Sequence, residues 1–160
     1  MKKIIYLSVL LVLQLLACKK DKIDLPIGTI KVDIGGVAST FSVNAKATRL
    51  QVTGGYGIQI QGNFKTTSTT NLSFSIVRPT PISVGTYSEN VASNPLVTMT
   101  HCVEVLFPCV LQFKEYGSSS NPVSITITEI SASSVKGNFK GELSGNSTEV
   151  LTNGIFYVSF

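Results

Sequence analysis

From Gly28 onward the chain alternates apolar and polar residues with a period of two, and this alternation constrains its fold more than any other feature. The segments TIKVDI at 29–34, NLSFSI at 71–76 and VSITIT at 123–128 each place apolar side chains at every second position. Such alternation is typical of half-buried β-strands. No segment after Pro26 shows the 3.6-residue period of an amphipathic helix. We therefore predict an all-β chain from Gly28 on.

Turn-forming residues separate these segments at short intervals. Glycine pairs stand at 35–36 and 54–55, and an Asn-Gly pair stands at 153–154. Glycine and asparagine favour the tight turns that join neighbouring strands. About ten short strands at this spacing predict a single antiparallel β-sandwich or sandwich-like barrel over residues 28–160. A membrane-spanning barrel is disfavoured, because such barrels carry aromatic girdles and aromatic residues make up only 8% of this chain.

The N-terminal residues have the organisation of a secretory signal peptide. Two lysines precede an apolar run from Ile4 to Leu16, which is shorter than the about 20 residues that a membrane-spanning helix needs. The run ends in LLAC at 15–18, which resembles the lipobox of bacterial lipoproteins. In that family the chain is cut before the cysteine, whose thiol and new amino group receive acyl chains such as palmitate. The resemblance implies a signal peptide over 1–17 and lipidation of Cys18.

The segment 18–27 is polar and charged, and we predict that it forms a flexible tether after the lipidated cysteine. Its start, Cys-Lys-Lys-Asp, is similar to that of many lipoproteins of the Bacteroidetes, in which charged residues at this place direct export to the cell surface. No aspartate directly follows Cys18, the residue that retains lipoproteins in the inner membrane of enterobacteria. The resemblance implies an outer-membrane lipoprotein, at the cell surface or on the periplasmic face.

The C-terminal half is similar to a group of small uncharacterised Bacteroidetes lipoproteins. The similarity rests on VGTY at 84–87, a Gly-x-Phe segment at 137–139 and an Asn-Gly-x-Phe segment at 153–156. It implies a β-rich domain of unknown function, and it assigns no activity.

Cys102 and Cys109 are the two cysteines beyond the lipobox. Because an exported protein meets an oxidising compartment, we predict a disulfide between them. The alternative is a metal site, since His101, Glu104 and the two cysteines are ligand types that zinc accepts. Familiar zinc spacings such as Cys-x-x-Cys are absent, and adjacent strand residues point to opposite faces, so the metal site is disfavoured. Free thiols are a third alternative.

Residues that support catalysis are few. His101 is the only histidine, no Gly-x-Ser-x-Gly motif accompanies it, and we expect it at the surface near the disulfide. Glu129 and Glu142 are expected to point outward from strands, and nothing marks them as a glycosidase pair. The glycine-rich stretch at 54–57 is interpreted as a turn rather than as a phosphate-binding loop. We therefore predict no catalytic activity, metal or cofactor.

The formal net charge of +4 is reduced when the signal peptide is removed. Thirteen basic side chains less Lys2 and Lys3 leave 11, against 9 acidic ones, and three of the 11 lie in the tether. The folded part is therefore nearly neutral, which gives no electrostatic argument for nucleic-acid binding. Near-neutrality also weakens a likeness to small lipid-anchored inhibitors of lysozyme, whose cationic target favours an acidic protein.

Polar loops are the predicted sites for a ligand. KTTSTT at 65–70, NLSFS at 71–75 and GSSSN at 117–121 offer hydrogen bonds to a glycan or a peptide. The tyrosines that offer stacking platforms are Tyr56, Tyr87, Tyr116 and Tyr157. We predict a non-catalytic, lipid-anchored binding or accessory module at the outer membrane. The alternatives are a structural subunit that assembles by strand addition, an inhibitor-type lipoprotein and an enzyme.

Overall fold

A computed structural model describes residues 25–66, 70–89, 96–103, 110–112, 121–144 and 148–160. The predicted signal peptide and all but the end of the predicted tether lie outside these residues. Within them the chain forms eleven strands and no helix, hence no helix long and apolar enough to cross a membrane. The strands are β1 (Thr29–Ile34), β2 (Val37–Phe41), β3 (Val43–Val52), β4 (Gly55–Asn63), β5 (Asn71–Arg78), β6 (Gly85–Ser88), β7 (Leu96–Val103), β8 (Val110–Gln112), β9 (Ser124–Ile130), β10 (Ser134–Ser144) and β11 (Thr148–Ser159). The all-β prediction is confirmed.

The strands form two layers that are joined at one point. The first layer runs β6-β9-β10-β11-β1-β2, and the second runs β3-β4-β5-β7-β8. Pairing within each layer is antiparallel, whereas a parallel bridge between Ser159 and Lys46 joins β11 to β3. The sheet is therefore mixed and does not close, and the arrangement agrees with the predicted sandwich rather than with a closed barrel.

Aromatic rings from both layers meet in the middle of the sandwich. The ring of Phe74 on β5 lies 4.8 Å from that of Phe139 on β10 and 5.3 Å from that of Phe156 on β11. All three side chains are almost fully buried. Truncating such a ring to alanine typically costs about 3–5 kcal/mol, so this cluster is a main contributor to the stability of the two-layer arrangement.

The Gly-x-Phe and Asn-Gly-x-Phe segments lie on neighbouring strands and pack against each other. Gly137 pairs with Phe156, and Gly154 pairs with Phe139 on the neighbouring strand. A Cβ atom on Gly137 would lie 2.6 Å from Cζ of Phe156, and one on Gly154 would lie 2.8 Å from Cδ2 of Phe139. Each ring thus fills the space that a side chain on the opposite glycine would need. The motif is explained by core packing, without a ligand.

The two ends of the sandwich differ. At one end β3 continues past its bridge to β11, and Ala47–Val52 extend about 20 Å beyond Lys46. This end, which we call the groove end, also contains the 79–84 loop and the 131–133 turn between β9 and β10. At the other end, which we call the histidine end, His101 of β7 and Glu149 of β11 meet between the layers.

Candidate binding groove

A groove of about 800 Å³ opens at the groove end. Its lining combines apolar side chains with Arg49 and Gln51, and Tyr56 is 52% exposed at the groove. Strand β3 contributes Arg49–Val52, the β3–β4 hairpin contributes Gly54–Ile58, and the remaining lining residues are Pro79, Pro81, Ile82 and Ile130. A concave surface with apolar walls and few polar groups is typical of ligand sites.

A buried tyrosine holds the 79–84 loop in place. The hydroxyl of Tyr87 donates to the carbonyl oxygen of Ser83 at 2.7 Å and accepts from the Ser83 N–H at 3.0 Å. Its ring is only 4% exposed, and the Arg78 guanidinium lies 5.6 Å from the ring centroid. A tyrosine that bonds the backbone a few residues upstream is a known device for fixing a loop between strands of a sandwich. The groove wall is therefore held by a specific contact.

Glycine permits the close approach of strands beside the groove. A Cβ atom on Gly55 would lie 2.7 Å from the carbonyl oxygen of Arg78, which is a backbone atom that cannot move aside. Gly54 has a φ of +76°, in the left-handed region that glycine adopts without strain. The stretch at 54–57 is thus part turn, as predicted, and part groove wall, which was not predicted.

Arg49 ties β3 to the turn between β9 and β10. Its guanidinium stacks 4.0 Å from the ring centroid of Phe160 and donates to the carbonyl oxygen of Ser131 at 2.8 Å. Arg49 is the charged residue of the lining, and no carboxylate lines the groove within the described chain. Arg49 therefore gives the described lining one positive charge.

Charge is distributed unevenly between the two ends. Both arginines of the chain lie at the groove end, where Glu129 forms an ion pair with Lys136 at 3.6 Å. The other carboxylates of the described residues pack toward the histidine end: Asp33, Glu89, Glu142 and Glu149. Lysines lie toward both ends, with Lys140 in the half that contains the histidine end, so the carboxylates rather than the cations are unevenly placed.

His101 is buried, so the expected surface position is wrong. It is 6% exposed, and its Nδ1 lies 2.7 Å from Oε2 of Glu149, whose side chain is 19% exposed. The ring of Phe41 packs edge-on against the imidazole at 6.0 Å. The period-two pattern contained the signal, because His101 lies on the same face of β7 as Val97 and Met99.

The predicted disulfide and its metal alternative fall partly outside the described residues. Cys102 is 2% exposed on β7, and β8 pairs with β7 from Val110, the residue after Cys109. Cys109 and Glu104 themselves lie outside, so the disulfide stays a prediction. Among the described side chains, no three of the types His, Cys, Asp and Glu cluster as metal ligands.

The carboxylates that were considered for glycosidase chemistry do not form a pair across a cleft. Glu129 pairs with Lys136 in the strand register, and Glu142 lies six residues further along β10, at about 20 Å. A glycosidase needs its carboxyl groups about 5–10 Å apart. The arrangement gives Glu129 and Glu142 no joint role.

The predicted polar loops and tyrosines have mixed outcomes. Residues 71–75 belong to β5, and its inward side chains form part of the core. Of the segment 65–70, only residues 65, 66 and 70 are described. Residues 117–120 and Tyr116 lie outside the described residues. Tyr87 is buried and offers no platform, whereas Tyr56 is exposed at the groove. Tyr157 is partly buried, with the Lys136 ammonium 5.5 Å from its ring centroid.

Comparisons of the chain with protein-family models, with curated proteins and with solved structures find no match. The candidate site is therefore argued from its own geometry.

Proposed function

We propose that this protein is a non-catalytic, lipid-anchored protein of the cell envelope, and that its all-β domain is a ligand-binding or accessory module at the outer membrane. The observation that carries the binding role is the groove of about 800 Å³, with an exposed tyrosine at its rim and a cationic lining. Its position at the end of a rigid sandwich, on a hairpin and a fixed loop, is where binding residues concentrate in such folds.

The anchor is supported by the sequence alone. A lipobox-like LLAC at 15–18 precedes a short polar segment, the predicted tether at 18–27. Two or three acyl chains on Cys18 would hold the domain firmly, since one chain binds a bilayer only marginally. Residues 19–27 of the predicted tether would span at most about 32 Å when extended, so the domain would stay close to the membrane surface.

Metabolic labelling with an alkyne analogue of palmitate tests the anchor. We expect the wild-type chain and Cys109→Ala to incorporate the label, and Cys18→Ala to lose it. Cys109→Ala is the matched control because it removes a cysteine without touching the predicted lipobox. Label on Cys18→Ala would contradict the anchor.

Protease treatment of intact cells then decides the leaflet. A domain that is removed from whole cells faces outward, which directs ligand screens toward glycans and host proteins. A domain that is protected until the outer membrane is breached works in the periplasm, and envelope proteins become the first partners to test.

A second candidate function is assembly with a partner by strand addition. It is favoured by the open sheet edges, because β2, β6 and β8 each pair on one side only within the described chain. Main-chain groups on such an edge can pair with an extended segment of another protein.

A further inference from the structure

We propose that the groove binds an extended, acidic peptide segment of another protein, which adds as a strand to the open edge of β3. This inference rests on the proposed binding function, because it names the ligand class of the same groove.

The open edge of β3 provides the main-chain groups. On one side β3 pairs with β4 as far as Val52 and Gly55. On the other side only Lys46 has a strand partner among the described residues, through its bridge to Ser159. Alternate residues of a strand direct their N–H and C=O groups to opposite edges, so about half of Ala47–Val52 presents these groups to the open side.

The β3 edge differs from the other open edges in length and in surroundings. Its stretch without a strand partner covers six residues, Ala47–Val52, of which Ala47 is buried, whereas β2, β6 and β8 have 5, 4 and 3 residues. Short edge strands are one way in which proteins avoid unwanted pairing. Moreover, Arg49–Val52 line the groove, and no residue of β2, β6 or β8 does so. Among the open edges of the described chain, the β3 edge therefore combines unpaired backbone groups with this groove.

The groove lining selects the chemistry of the incoming strand. Apolar side chains of that strand would meet Leu50, Ile82 and Ile130, which are partly exposed apolar residues of the lining. Acidic side chains would meet the positive charge of Arg49, which no lining carboxylate offsets among the described residues. Side chains of a strand alternate between its faces, so a peptide that alternates apolar and acidic residues fits both features.

A glycan fits the groove less well than a peptide. Tyr56 is the single aromatic side chain of the described lining, whereas sugar rings usually stack on several aromatic faces. A β-strand edge repeats donors and acceptors at about 3.3 Å per residue, which matches the main chain of a peptide.

Selection from a displayed library of random peptides, each of about 12 residues, on the full chain in detergent tests the proposal. We expect enrichment of peptides that alternate apolar and acidic residues. The best peptide is then synthesised in two N-methylated versions, one modified at odd positions and one at even positions. Since a strand pairs through one edge, we expect one version to bind at least tenfold more weakly and the other to bind nearly as well as the parent.

Charge reversal locates the binding end. Arg49→Glu should weaken binding of the parent peptide at least tenfold, whereas Lys140→Glu, which is exposed in the half of the sandwich that contains the histidine end, should leave it nearly unchanged. Thermal unfolding of both variants checks that they fold. If Arg49→Glu does not fold, Arg49→Gln and competition by free aspartate-rich peptide replace it.

Four results would overturn the inference. Peptides whose two N-methylated versions bind equally do not add as strands. Enriched peptides that bind Arg49→Glu unchanged do not use this groove. If no peptide is enriched while a panel of envelope oligosaccharides binds and Tyr56→Ala abolishes that binding, strand addition is wrong and the proposed binding function stands. If neither peptides nor oligosaccharides bind the full chain, the groove function fails as well.

Discussion

The two ends of the sandwich use aromatic and charged side chains in opposite ways. At the histidine end, Phe41 is buried against the His101 ring, and Glu149 is held between the layers by a 2.7 Å contact. At the groove end, Tyr56 is 52% exposed, and the lining cation Arg49 stacks on Phe160 beside an open cavity. Side chains fill the interior at the histidine end, whereas the groove end contains an open cavity.

The difference teaches where stability and binding reside in this fold. A hydrogen-bonded polar pair between the layers makes their packing specific, and the loss of one member leaves its partner unsatisfied. An exposed aromatic at a cavity contributes little to folding and is available to a ligand. We therefore expect substitutions at the histidine end to lower stability, and substitutions at the groove end to change binding first.

The largest expected effect is that of Phe41→Ala. Because Phe41 is almost fully buried and contacts the rings of Phe64 and His101, its truncation should lower the free energy of unfolding by about 3–5 kcal/mol. Denaturant unfolding measures the change. Tyr56→Ala is the control and should cost less than about 0.5 kcal/mol, as exposed sites usually do. Equal losses of unfolding free energy in Phe41→Ala and Tyr56→Ala would contradict the proposed difference between the two ends.

The predicted disulfide adds a second test at the histidine end. If Cys102 and Cys109 are bonded, intact mass should rise by two hydrogens on reduction. Cys102→Ala with Cys109→Ala should lower stability by about 2 kcal/mol, because the unfolded chain regains the freedom of the closed loop. An unchanged mass after reduction of the folded, unmodified protein would show free thiols instead.

The contact between His101 and Glu149 should contribute about 2 kcal/mol, since each single substitution leaves a largely buried polar partner without its bond. A double-mutant cycle with His101→Ala and Glu149→Ala measures the coupling through urea unfolding of four proteins. Strict additivity of the two single effects would mean that the contact adds nothing to stability.

The smallest expected effect is that of Tyr87→Phe, which removes both hydrogen bonds to Ser83 and keeps the ring. We expect a loss of about 1 kcal/mol in stability and a clear loss of affinity for any groove ligand, because the 79–84 loop is no longer fixed. Tyr157→Phe serves as the matched control. A variant that retains full affinity would show that the loop does not shape the site.

The fold was predictable because period-two alternation reports which side chains face a core. Ile30, Phe74 and Ile125 all fell on predicted inward faces and are buried. The groove was not predictable, because it depends on how far β3 runs past Lys46, which is set by the register between layers. The burial of His101 could be predicted from its place on the inward face of β7. Its contact with Glu149 could not, because the two residues are 48 positions apart and alternation within a strand does not show which strands face each other.

Amide hydrogen exchange of the full chain, followed by NMR, tests most directly whether the groove end is open and the histidine end closed. Amides of the open β3 edge should exchange quickly, because a backbone group without a partner is not protected. We predict that every second amide within Ala47–Val52 exchanges far faster than its neighbours, while the amides of Val97–Cys102 that pair with β5 or β8 stay protected. Uniform protection along Ala47–Val52 would contradict the account, because it would mean that the β3 edge is already occupied.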